Sequence, residues 1–122
     1  MTDFVKFFFE LQNTVKLYHW NTTSFSRHKG ADELVSSIIE LSDKFMEIYM
    51  GKYGRPNKTS SKATSLTIKV LSDKDATEYL KACIKTVDTL SQQLSPKDTD
   101  ILNIRDEILG KLNQTLYLFT LA

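Results

Sequence analysis

Two histidines and a run of carboxylates supply the residue types from which a cation site can be built. His19 and His28 flank the turn between the first two helical stretches, and Asp32, Glu40, Asp43 and Glu47 follow along the second. Imidazole nitrogen combined with carboxylate oxygen suits Fe(II), Zn or Mn. At roughly 100° per residue, His28, Asp32, Asp43 and Glu47 fall within about 100° of arc on a helix, so one face carries all four. That face adjoins the apolar stripe of the same helix.

A single chain cannot bring the four to one ion, because Asp32 and Asp43 lie about 16 Å apart on a helix rising roughly 1.5 Å per residue. A second copy can complete the set. If two copies of the second helix cross antiparallel about a two-fold axis between Ser37 and Ile38, His28 faces Glu47 and Asp32 faces Asp43, the self-complementary form of an isologous contact. Ser36 and Ser37 are small enough to let the backbones approach there. Each of two equivalent sites then receives His28 and Asp32 from one chain and Asp43 and Glu47 from the other, with His19 approaching from the first helix. The expected metal ligands are therefore His19, His28, Asp32, Asp43 and Glu47, with no catalytic residue beyond them. Any one of these carboxylates taken alone reads as a solvated surface group. Only their joint register points to a cation, and Asp43 with Glu47, like-charged one turn apart, repel mildly unless one lies between them.

The elements that must hold these residues are helices. From Asp3 to about Asn21, Phe4, Phe8, Leu11, Val15 and Tyr18 recur at helical spacing without Pro or Gly. The polar run Asn21 to Ser26 is the connection. Leu34, Ile38, Leu41, Phe45 and Ile48 form the stripe of the second helix, with Val35, Ile39, Met46 and Tyr49 beside it, and Gly51, Gly54 and Pro56 end it. Ser72 with Asp75 has the form of an N-terminal capping pair for a third helix, whose apolar face is Tyr79, Cys83, Val87, Leu90 and Leu94. A fourth is expected to start at Ser95 as cap with Pro96 in its first turn, and to bury Ile101, Ile104, Ile108, Leu112, Leu116 and Phe119. Asp98 and Asp100 suit the positive end of its dipole. The stretch Lys52 to Leu71 is long for an unstructured loop. Leu66, Ile68 and Val70 alternate in it, and a short helix or a packed extended piece is expected there.

The chain has 122 residues, 41% hydrophobic and 25% charged, with four Gly and two Pro, the composition of one folded domain spanning residues 1–122. Sixteen basic against fifteen acidic side chains give a formal charge of +1, so no global field favours nucleic acid or a membrane surface. Nucleic-acid contact is expected to be weak or absent, and no membrane partner is expected. The N-terminal apolar residues are broken by Asp3, Lys6 and Glu10, which argues against a signal peptide or a span. The lone Cys83, placed in a helix interior, reads as core packing and fits a reducing, cytoplasmic setting. Lys52, Arg55, Lys58, Lys62 and Lys69 make a window without acids that reads as a solvated basic loop or, failing that, a phosphate contact.

The segment Tyr18-His19-Trp20-Asn21, followed by His28, Asp32, Asp43 and Glu47, resembles the Dps-like miniferritins. Asp98-Thr99-Asp100-Ile101-Leu102 is similar to that family's last helix. The resemblance implies a ferritin-like, all-α four-helix bundle with a long connection between helices two and three. It also implies iron oxidation at a two-fold inter-subunit site, homo-oligomers up to a dodecameric shell, and Fe(III) storage inside it; Trp20 matches a Trp beside the metal. The chain also resembles short ferritin-like proteins of unknown function encoded by phages and large DNA viruses, through Asp43-Lys44-Phe45 and Gly51-Lys52-Tyr53-Gly54-Arg55-Pro56. On that likeness a virion-associated, metal-free structural or interaction protein is the alternative. Three departures from the miniferritin pattern stand out. His19 and His28 are closer in sequence than in miniferritins, and Lys29-Gly30 weakens the helix beside His28. The Lys-rich DNA-binding tail is absent, and no Glu-x-x-His motif supports an intrachain di-iron site.

Overall fold

The computed structural model describes residues 2–55 and 63–122. Four helices account for most of them: α1 (Thr2–Asn21), α2 (Phe25–Tyr53), α3 (Asp73–Ser91) and α4 (Thr99–Phe119). No strand occurs among the described residues. The expected stripes are buried in the main, with Leu41, Ile48, Tyr79, Leu90, Leu94 and Leu116 half-buried against the core. Phe4, Phe8, Leu11, Val15 and Tyr18 of α1 meet Leu34, Ile38 and Phe45 of α2, Leu80, Cys83 and Val87 of α3, and Ile101, Ile104, Ile108 and Leu112 of α4. Phe45 packs between Phe4 and Phe8 with ring centroids 4.8 and 5.4 Å away.

The helices form a ring in which α2 touches α1 and α4, and α3 touches α4 and α1, leaving α1/α4 and α2/α3 on the diagonals. Side-chain bonds fix the directions. Tyr18 at the end of α1 donates to Asp73 Oδ1 at the start of α3 (2.6 Å), whereas Tyr53 at the end of α2 donates to Asp98 at the start of α4 (2.6 Å). Helices α2 and α3 therefore run parallel, and the chain between them must return the full length of the bundle. One long crossover between parallel second and third helices is the connectivity of ferritin-like bundles.

That crossover is an extended piece from residue 63 onward, laid along α1. Glu10 Oε2 accepts from the Thr67 N–H at 2.6 Å, and Thr14 Oγ1 from the Lys69 N–H at 3.3 Å. Leu71 reaches the core, while Leu66, Ile68 and Val70 remain exposed. Of the two forms expected from the alternating residues, the packed extended one is observed, because α1 supplies the acceptors that a lone strand lacks. Pro56, Lys58 and Lys62 lie outside the described residues.

The start of α4 departs from expectation. Ser95 is not its cap: the Asp98 N–H bonds back to the Ser95 carbonyl (2.9 Å) and the Asp98 carboxylate accepts the Ser95 N–H (3.0 Å), closing a turn around Pro96 before the helix begins at Thr99. Ser72 does cap α3, its hydroxyl accepting from the Asp75 N–H at 3.1 Å. Gly30 does not interrupt α2, which is continuous from Phe25. It is buried where α2 presses on α4, with Leu118 and Phe119 lying 3.5 and 3.6 Å from where a Cβ would stand.

Candidate metal centre

The turn between α1 and α2 is held from several sides. Ser24 caps α2 by accepting from the Arg27 N–H (3.3 Å), and Thr22 Oγ1 donates to Asp73 (2.9 Å). Arg27 in turn donates to the Tyr18 hydroxyl (3.0 Å) and to the Asp73 carbonyl (2.8 Å), and its guanidinium lies 4.7 Å from the Phe119 ring centroid. Burial pushes the Tyr18 phenol above its ordinary pKa, and the Tyr18 hydrogen bond holds the Asp73 carboxyl below the usual range.

Within this frame the two histidines face one another. His19 Nδ1 bonds the His28 carbonyl and His28 Nδ1 bonds the His19 carbonyl, both at 2.8 Å, and the rings stack with centroids 3.9 Å apart. A carbonyl oxygen can only accept, so both Nδ1 atoms carry the proton; in the neutral rings both Nε2 lone pairs are left free. A backbone carbonyl on the far nitrogen is the support that orients and strengthens a metal-binding imidazole. The short interval between His19 and His28 and the Lys29-Gly30 pair thus do not stop the two rings from meeting.

Asp32 lies one turn further along α2, with Oδ1 3.8 Å from His19 Nε2. Lys16, one turn back on α1, brings its ammonium within 4.0 Å of the same oxygen and 5.7 Å of the Trp20 ring centroid. Trp20 is 67% exposed and takes no part in the core. His19, His28 and Asp32 are thus brought together, with Lys16 as a neighbour that the sequence pattern did not single out. Its spacing of three from His19 was the available signal.

Asp43 and Glu47 lie on the C-terminal half of α2, exposed and without an ion pair among the described residues. No group of three or more His, Cys, Asp or Glu side chains gathers closely enough to hold a metal ion among the described residues. Beside Asp43 an open groove of about 500 Å³ runs between α1 and α2, lined by Phe9, Gln12, Ile39 and Met46 among others. Ile39, expected beside the buried stripe, is 52% exposed at its rim.

The far end of the bundle carries a second polar cluster. Lys52, read from sequence as part of a basic loop, belongs to α2 and binds Asp98 and Asp100, each at 2.8 Å. Both carboxyls lie below their ordinary pKa, chiefly through the Lys52 hydrogen bonds, and the Lys52 ammonium is raised in turn. Asp98 is buried under Tyr53, so it tethers α2 to α4 in addition to facing the α4 dipole. Lys69 lies over the Tyr79 ring at 5.7 Å. The acid-free basic window therefore loses two of its members to specific partners. Cys83 is buried in the core, and that burial pushes its thiol up to about 12.

Fold and side chains together define an all-α bundle with one long crossover and an ordered pair of histidines beside an aspartate at the α1/α2 turn. The chain belongs to the family described as "Family of unknown function (DUF5856)", which matches it over residues 19–119. It is 30% identical over 103 residues, 84% of its own length and 74% of the relative's, to the uncharacterized 14.6 kDa protein in the mobD-ri intergenic region of Enterobacteria phage T4. No solved structure matches. Of the two likenesses drawn from sequence, these matches agree with the phage-related one, and the miniferritin likeness stays a resemblance. No helix among the described residues is long and apolar enough to cross a membrane.

Proposed function

We propose that two copies of this chain bind Fe(II) between them and oxidise it, as substrate, with peroxide or oxygen as acceptor. Two Fe(II) ions give one electron each; peroxide takes both with two protons, its O–O bond breaking to leave two waters, whereas oxygen takes both with two protons to leave peroxide. One observation carries the reading: the reciprocal His19/His28 pair, which leaves both Nε2 lone pairs free, that of His19 beside Asp32. Asp43 and Glu47 would complete the set from the second copy, their carboxylates favouring the ferric product while the imidazoles favour Fe(II). Storage of Fe(III) in a closed, dodecameric shell is the further extension of the same reading, with Zn or Mn able to occupy the same ligands.

The test is Fe(II) added anaerobically, followed by peroxide, with ferric absorbance recorded for wild type and Asp43→Ala. Fast oxidation in wild type and near-background rates in the variant are expected. Background rates in both would leave a metal-free interaction protein, a reading favoured by Lys16, which already supplies a cation to Asp32.

A further inference from the structure

We infer that the exposed α1/α2 face is a docking surface for a second copy of this chain, that it closes without metal, and that Trp20 of each copy seats in the partner's groove beside Asp43. The proposal rests on the two-fold reading above for its register and adds an apolar, metal-independent basis for assembly.

Three features specify the occupant. The first is that the register set by the histidine and carboxylate pairs also suits residues outside those pairs. An axis between Ser37 and Ile38 puts exposed Phe25 opposite Met50, and exposed Ile39 opposite exposed Ser36. A large apolar group therefore meets either another apolar group or a small residue that leaves it room. On the helical wheel these four fall on the same arc as the candidate ligands.

The second is charge. Beside the N-terminal half of α2 the face carries Lys16 and Lys29, and the C-terminal half carries Glu40, Asp43 and Glu47. Antiparallel crossing brings opposite signs together. It also sets Asp32 against Asp43, which would repel, but Lys16 already lies 4.0 Å from Asp32 and supplies the cation that pair needs in the absence of metal.

The third is shape. The same axis carries the partner's Asp32 region, and with it the adjoining end of α1, to Asp43 and the groove between Phe9, Ile39 and Met46. Trp20 follows His19 directly on that end of α1 and is 67% exposed, while Phe25 at the start of α2 is 76% exposed. Both are large aromatic groups at the α1/α2 turn, the end that must meet the partner's groove. At roughly 150–250 Å² for a full aromatic side chain, of which 67% is exposed at Trp20 and 76% at Phe25, the four from two copies provide about a third of the roughly 1,200–2,000 Å² typical of a stable interface. A tryptophan in a pocket ringed by near-neutral contacts is the usual anchor of such surfaces.

The experiment uses the full chain in chelator. Because Trp20 is the single tryptophan, its emission reports the docking directly, and sedimentation reports the mass. Expected are a dimer or a larger multiple of it without metal, with emission shifted to the blue as concentration rises. Trp20→Ala and Ile39→Lys should each weaken association at least tenfold, with helical circular dichroism unchanged because both positions lie outside the core. A chain that stays monomeric in chelator and associates only on adding Fe(II) would overturn the inference while leaving the metal reading intact. So would association that neither substitution weakens. A metal-free dimer with buried Trp20 but no iron oxidation would uphold the inference and end the metal reading.

Discussion

The two halves of α2 carry candidate ligands of the same kind on the same helical face, yet the bundle treats them differently. At the N-terminal half, His28 is locked to His19 by two ring-to-carbonyl hydrogen bonds, and Tyr18, Arg27 and Asp73 fix the turn beneath them. At the C-terminal half, Asp43 and Glu47 stand exposed while their neighbour Phe45 is buried. A helix sets the angular position of its side chains, whereas order at their tips depends on what packs beyond them. One half is organised by its own chain; in the proposed dimer the other is organised by the partner.

Substitutions can break this contrast, and the largest effect falls on chemistry. Asp43→Ala is expected to lower the peroxide-driven iron oxidation rate by about 100-fold or more, while its melting transition stays within about 0.5 kcal/mol of wild type, as for an exposed group outside the core. Two residues away, Phe45→Ala should do the reverse in denaturant titrations. It empties space between Phe4 and Phe8 and should cost about 3–5 kcal/mol. His19→Ala is expected to affect both properties. It removes the donor to the His28 carbonyl and half of the ring stack, so a loss of about 1–3 kcal/mol should accompany the lost oxidation.

Acid should act at the two ends of the bundle. Asp73, Asp98 and Asp100 all have folded pKa values below the ordinary 3.8, so the unfolded chain binds protons first as pH falls. Their contribution is fully present above about pH 4 and is lost progressively below it. Thermal midpoints recorded from pH 6 to pH 2 should fall more steeply for wild type than for Asp98→Asn, which has already lost the ion pair. The smallest effect is expected at Gly30. A methyl group added there would meet Leu118 and Phe119 at ordinary contact distance, so Gly30→Ala should leave stability unchanged or raise it by up to about 1 kcal/mol in the same denaturant titration.

The helices and their buried faces could be read from sequence because a 3.6-residue period survives any tertiary arrangement: Phe4, Phe8, Leu11, Val15 and Tyr18 are buried as their spacing requires. The side-by-side placement of His19, His28 and Asp32 followed in part from their positions around one turn. What pattern alone did not contain was contact between distant elements. Lys52 looked solvated because Asp98 and Asp100 lie far along the chain. The Ser95-Pro96 signal was overridden because the Asp98 carboxylate bonds back to Ser95. The reciprocal histidine bonds could not be read either, since they depend on the angle at which two helices leave the turn.

Whether each site draws on two chains can be decided by mixing two inactive variants. His19→Ala/His28→Ala and Asp43→Ala/Glu47→Ala should each be inactive alone. In a two-fold dimer formed from one of each, one site keeps every ligand and the other keeps only Asp32. Co-folded in equal amounts, with half the dimers mixed, they should recover about a quarter of the wild-type iron oxidation rate. Recovery to that level is the expected outcome; a mixture that forms mixed dimers yet stays at background would contradict the shared site.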